Sequence, residues 1–406
     1  MYSPYSYVRL AVLGILVTTA APVYAIGITP PSWKPRELVA SAIASSTFHE
    51  GADRVLAYDN HGNPGIAFYD NVDDSLRYAR FVPGFGWNHQ TVDGGFGFDT
   101  GQYPSLAYDR YERPAISYFD FNPNSDLKFA HFDGTAWNIE TVDSVGEVGS
   151  FSSLTFDLLG RAAIAYRDIN NVSLEYVIDS DGDFSFLDET PVTVTSGIDE
   201  GFYPTLAFDP LNRPMIAHQH SGNKDLRFSV EEPGLGWLTR SVDTTGNTGN
   251  HPSLDIDPDT GFPAIAYFDE DTDNLRYAAW DGGAWVLTTV NPGGGEGRFP
   301  SLAFDPADGN PAIAYQGNSF LKLAWHDGSA WQTQIVEQAN PAQGTVTSLA
   351  FNEFGHGFPS IAYINPIDGN WYFSEDPPAA VPEPVSILLL AIGAGALSVR
   401  RRNRRA

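Results

Sequence analysis

The chain alternates short apolar runs with turn residues at a fixed interval. Residues 105–143, SLAYDRYERPAISYFDFNPNSDLKFAHFDGTAWNIETVD, carry four such runs, at 105–108, 115–119, 127–132 and 137–142. Each has strand length, and each gap holds Asp, Asn, Gly or Pro, the residues that turns require. The runs PAISY, PAIAY and SLAF are apolar at successive positions instead of alternating. Strands of that kind are covered on both faces.

The four-run unit repeats. A Leu in its first run recurs as Leu56, Leu106, Leu154, Leu206, Leu254, Leu302 and Leu349, spaced 47 to 52 residues apart. In register follow Asp59, Asp109, Asp157, Asp209, Asp257 and Asp305, with Asn352 in the last copy. A Pro opens the second run in every copy but the third, which has Ala162. Trp87, Trp137, Trp237, Trp285 and Trp331 open the fourth run. Seven copies of four strands predict an all-β fold, a seven-bladed β-propeller of four-stranded blades. Blades stacked face to face cover both sides of each sheet, with the Trp rings filling the wedge between them. Copy seven supplies only three runs. The run at 38–42 precedes Leu56 by about the distance between Trp137 and Leu154. The N-terminal strand is therefore expected to close the last blade as its outer strand, leaving few free edges. The propeller is placed at 26–373, with 26–36 a lead-in and 374–380 a Pro-rich linker.

Length supports a repeat, because 406 residues exceed what one compact core sustains. The absence of Cys excludes disulfides, Cys-based zinc sites and thiol nucleophiles. Both ends read as targeting segments. Arg9 precedes an apolar run over 10–21, and Val23-Tyr24-Ala25 fits a signal peptidase site, so residues 1–25 read as a signal peptide. The other end carries Pro382, Glu383 and Pro384, then fifteen apolar residues over 385–399, then Arg400, Arg401, Arg402, Arg404 and Arg405. A helix of that length spans ~22 Å, short of a ~30 Å hydrocarbon core. The Arg cluster holds its end in the cytoplasm. This ordered trio, over 381–406, resembles the PEP-CTERM sorting signal of Gram-negative bacteria. The resemblance implies export, a transient anchor in the inner membrane through a short transmembrane helix, and processing by an exosortase near the Pro-Glu-Pro. It implies a final place at the cell surface or in the extracellular matrix, and a tie to exopolysaccharide.

Without the two end segments the chain holds 17 basic and 49 acidic residues. Such an excess argues against nucleic acid and anionic membrane as partners. It permits cations, cationic proteins and neutral glycans.

In an up-and-down blade the loops from strand two to three and from strand four to the next blade emerge on one face. Candidate ligand residues collect there. Strand two ends in an aromatic and, two residues on, a polar group: Phe68/Asp70, Tyr118/Asp120, Tyr166/Asp168, His218/His220 and Tyr267/Asp269. Strand four ends in Asp93, Asp143 and Asp243. The loops into the next blade carry Phe96, Phe98, Tyr103, Phe151, Phe202, Tyr203, His251 and Phe299. Repeated carboxylates and rings suit cations or sugars. The same Asp residues equally cap turns, and the same Tyr residues equally pack between blades.

No cofactor is required by these patterns. The acidic excess and the Asp register predict weak Ca²⁺ binding of the extracellular class. Asp179, Asp181 and Asp183 alternate like the start of a calcium loop, as do Asp255, Asp257 and Asp259, and neither has the closing Glu. His218 and His220 share one strand face, half of a zinc or copper site. No G-x-S-x-G elbow, H-E-x-x-H helix or phosphate-binding Gly loop occurs. FDGTAW at 132–137 and WDGGAW at 280–285 share only a turn with sialidase boxes. A general resemblance remains to bacterial secreted propellers with Asp, Tyr and Trp repeats, propeller lectins among them. The reading is a non-catalytic surface or matrix propeller that binds glycan or a protein partner. A glycan hydrolase or lyase using loop-face carboxylates, and a purely structural matrix component, are the alternatives.

Overall fold

The computed structural model describes residues 33–34, 36–40 and 54–376, less 96, 123, 319, 339–345, 353–356 and 366–367. The signal peptide, most of the lead-in and the sorting signal lie outside the described residues. No helix among those described is long and apolar enough to cross a membrane.

The described chain forms seven four-stranded antiparallel sheets. Blades one to six occupy 56–94, 99–143, 148–196, 202–243, 250–291 and 296–338, each with its strands in chain order from inside to outside. The seventh takes Thr347–Phe351, Pro359–Asn365 and Asn370–Glu375 from the end of the chain. Its outer strand is Glu37–Ala40, paired antiparallel to Asn370–Glu375. The expected closure is present, and Lys34 extends it by donating its N–H to the Glu375 carbonyl at 3.0 Å.

The second strands Ala162–Asp168, Pro214–His220 and Pro263–Asp269 are buried at every position, as their two-faced apolar pattern requires. Between blades, each Trp of an outer strand meets an aromatic of the preceding blade edge-on. Trp137 lies 5.5 Å from Tyr78, Trp237 5.1 Å from Tyr176, Trp285 5.2 Å from Phe228 and Trp331 5.1 Å from Tyr277. Copy three lacks the Trp, and Phe186 from its hairpin fills the place, 5.1 Å from Phe129. Trp33 packs against the corresponding cluster of blades six and seven.

A second device joins the inner strands. The hydroxyl just before each marker Leu accepts the backbone N–H of the next blade's marker. Ser105 serves Leu154, Ser153 Leu206, Thr205 Leu254, Ser253 Leu302, Ser301 Leu349 and Ser348 Leu56, at 2.9–3.1 Å. Copy one has Val55 there, and the Arg54 carbonyl takes the Leu106 N–H instead. Each bond satisfies a buried donor that would cost about 1–3 kcal/mol if left unpaired. The Arg54 side chain also crosses to the Leu254 carbonyl of blade five.

Candidate functional site

The recurring turn acids cap their own turns. Asp109, Asp157 and Asp209 each accept two backbone N–H groups of the turn between strands one and two. Their second oxygens take the guanidinium four residues on, from Arg113, Arg161 and Arg213.

The residues expected on the loop face form latches between blades. The Tyr118 hydroxyl donates to Asp93, Tyr166 to Asp143 and Tyr267 to Asp243, each at 2.7 Å. These rings are fully buried, so they offer no face to a ligand. Burial and the neighbouring carboxylate push all three phenols well above the usual range. Burial would raise the Asp243 carboxyl, but hydrogen bonds from Thr245 and Tyr267 and the Arg276 charge hold it below its ordinary value. Blade four uses a different pair. His218 contacts Glu200 at 3.2 Å, and Arg227 lies 3.3 Å from the same carboxylate. Burial lowers the His218 pKa, opposed by Glu200. His220 accepts the Asn223 N–H through Nδ1 and turns Nε2 toward Glu200 at 3.6 Å. The two histidines thus belong to a latch.

The polar partners behave likewise. Asp70 accepts the Val72 N–H, Asp168 the Asn171 N–H and Asp269 the Asp271 N–H. Asp120 pairs with Lys128 at 3.0 Å.

Of the aromatics placed in the Gly-rich loops, Tyr103, Phe151, Phe202, Tyr203, His251 and Phe299 lie within the inner strands, which begin earlier than their apolar runs. Phe98 sits just ahead of the strand Asp99–Tyr108 and is exposed, and Phe96 lies outside the described residues. In Asp99–Tyr108 the register shifts around Gly101 and Tyr103. Gly101 has φ +103°, and a Cβ there would sit 2.6 Å from the Leu76 backbone. Tyr103, Phe151, Tyr203, His251 and Phe299 follow their glycines by two residues, all with φ near +50°. Their rings touch in series at 4.5, 4.6, 4.0 and 4.5 Å, forming an arc around the axis. Burial pushes the His251 imidazole down to about 3, so it enters the arc as a neutral ring. The repeated Gly-x-aromatic pattern was the sequence signal for this feature.

An open cleft lies elsewhere, between blades four and five, beside the turns that join strands one and two. It has a volume of about 170 Å³. Its floor is Met215, Phe228, Val230 and Leu238, and Trp280, Trp285 and Phe262 form a wall. At one end Arg213 is held between Asp209 (2.7 Å) and Glu232 (2.8 Å). Arg240 also lines the cleft. The tryptophans are half-buried and Arg240 is exposed. Sequence reasoning missed this site. The available signals were the second Trp of WDGGAW and the D-x-x-x-R of 209–213.

Among the described residues one carboxylate trio converges. Asp179, Asp181 and Asp183 bring ligand oxygens within 4.8 Å of one another. Asp179 is buried and already accepts the N–H groups of Gly182, Asp183 and Phe184. Asp255, Asp257 and Asp259 do not converge. Asp255 accepts the Phe304 N–H of the next blade, and Asp257 those of Asp259 and Thr260.

No protein-family model and no curated protein matches the chain. Solved structures share the fold. The BP39L lectin of Burkholderia pseudomallei is 12% identical and superposes with a TM-score of 0.66, over 82% of this chain and 100% of its own. An ulvan lyase of polysaccharide lyase family PL25 is 14% identical, with a TM-score of 0.59 over 84% and 95%.

Proposed function

We propose that the protein is an exported, non-catalytic glycan-binding propeller of the cell surface or extracellular matrix. The observation that carries this reading is the cleft between blades four and five. Tryptophan faces suit the apolar face of a sugar ring. The Arg213–Glu232 pair offers donors and an acceptor to its hydroxyls, the combination of apolar wall and few convergent polar groups typical of small-ligand sites. Fold likeness to a lectin supports the reading, and likeness to a lyase supplies its rival. Delivery follows from the end segments, through signal peptidase and an exosortase, with no role for nucleic acid. Ca²⁺ binds weakly at Asp179, Asp181 and Asp183, in the ~10⁻⁴–10⁻³ M class. Coincident melting curves in Ca²⁺ and chelator at matched ionic strength would refute that site.

Glycan-array and calorimetric binding of the full chain test the main reading. Saturable binding is expected, weakened at least tenfold by Trp280→Ala, with no change in the glycan. Release of reducing or unsaturated ends would establish the lyase or hydrolase alternative. No saturable binding to any glycan would leave the structural role.

A further inference from the structure

The cleft between blades four and five is not electrically uniform, and its two ends differ in kind. Arg213 is neutralised on both sides, by Asp209 behind it and Glu232 beside it. Arg240 has no such partner. Among the described residues it makes no ion pair, hydrogen bond or ring contact. The other described arginines are engaged. Arg77, Arg80, Arg113, Arg161, Arg227 and Arg276 meet carboxylates. In a chain with 50 acidic and 23 basic residues, a guanidinium left unpaired on the wall of a cleft stands out.

The strand register places it. Phe228 pairs with Arg240 and Val230 with Leu238, while Glu232 pairs with Gly236 at the hairpin. Arg240 and Glu232 therefore stand four residues apart along the sheet, about 13 Å at ~3.3 Å per residue. Phe228, Val230 and Glu232 alternate onto one face, and Arg240 lies across from Phe228 on that same face. Trp285 packs on Phe228 from blade five. A path thus runs from the Arg213–Glu232 end, over an apolar floor and past Trp280 and Trp285, to an unpaired cation.

We infer that this cleft takes an acidic saccharide, with one ring seated against Arg213, Glu232 and the tryptophans and an anionic group on that ring or the next meeting Arg240. The inference rests on the glycan-binding reading above and names its substrate class. A planar guanidinium pairs with a carboxylate or sulfate through two parallel hydrogen bonds, which a neutral sugar cannot supply.

The test uses the full chain on an array that holds uronate-containing oligosaccharides, their neutral methyl esters and sulfated analogues. Uronates or sulfated sugars are expected to bind at least fivefold tighter than the matched neutral forms. The advantage should vanish in Arg240→Gln and return in part in Arg240→Lys, with melting temperature unchanged. The sulfated and uronate arms tell which anion is taken. Equal affinity for acids and esters, or an Arg240→Gln variant that keeps the preference, overturns the inference and leaves glycan binding standing. Loss of all saccharide binding in the wild type overturns both. Trp280→Ala separates the two cases further, because it should weaken acidic and neutral ligands alike.

Discussion

Two clefts of the same propeller have opposite fates. Between blades two and three the long hairpin after Ile178 folds back into the groove. Its Phe184 stacks on His131 at 4.4 Å and lies 4.8 Å from the Arg113 guanidinium, while Phe186 meets Phe129 beneath. Between blades four and five the corresponding hairpin is the short one from Trp280 to Trp285, and Arg213, the counterpart of Arg113, borders open space. Both arginines are anchored on the turn acid four residues earlier. The chain thus fills one cleft with its own aromatic ring and leaves the other open. A repeat frame can carry both solutions because the packing at each blade-to-blade joint is set by the two blades that meet there.

The largest expected effect breaks the closed cleft. Phe186→Ala removes a ring that is 2% exposed, and such a truncation costs about 3–5 kcal/mol. Denaturant midpoints at constant m-value measure it. A loss below 1 kcal/mol would mean that the hairpin merely lies on the surface.

The hydroxyl clasp is common to both clefts and should not distinguish them. Ser105→Ala between blades two and three, and Thr205→Val between blades four and five, each strand a buried Leu N–H. Each should cost ~2 kcal/mol. Markedly unequal losses in urea melts would show that the open cleft is also the weaker joint.

A smaller effect separates the latches by pH. The Asp243–Tyr267 latch faces Arg276 at 3.5 Å, whereas its equivalent at Asp143–Tyr166 has Glu175 at that position in the repeat. Burial pushes the Glu175 carboxyl up, against hydrogen bonds from Ser173 and Thr193, and the Asp168 and Asp143 charges push it further. A carboxyl raised in the folded state costs stability above its folded pKa, and the cost fades as pH falls through that value toward the unfolded one. Glu175→Gln should therefore stabilise at pH 7, by ~1 kcal/mol, with the gain shrinking toward pH 4. Asp243, held low, behaves oppositely. The stability it contributes is present above the unfolded carboxylate range and is lost as pH falls through its depressed value. A Glu175→Gln gain that is flat from pH 7 to pH 4 would refute the electrostatic account.

Much of the architecture was legible in the chain. The Leu spacing counted the blades, the two-faced apolar runs marked the strands, and the missing fourth run of copy seven matched the run at 38–42. These features are local or periodic, so the order of residues expresses them directly. The functional surface was not legible in the same way. Tyr118, Tyr166 and Tyr267 look alike as ligand rings and as buried latch rings, and the partner that decides, Asp93, Asp143 or Asp243, comes from the preceding blade. His218 stood out in the sequence as a break in the repeat, yet Glu200 and Arg227 make it one more latch. Arg113 and Arg213 carry the same local motif. Only packing against the next blade covers one with Phe184 and leaves the other beside two tryptophans. Strand number and closure follow from periodic burial along one chain. Exposure of a site depends on neighbours roughly fifty residues away, and only the assembled ring decides it.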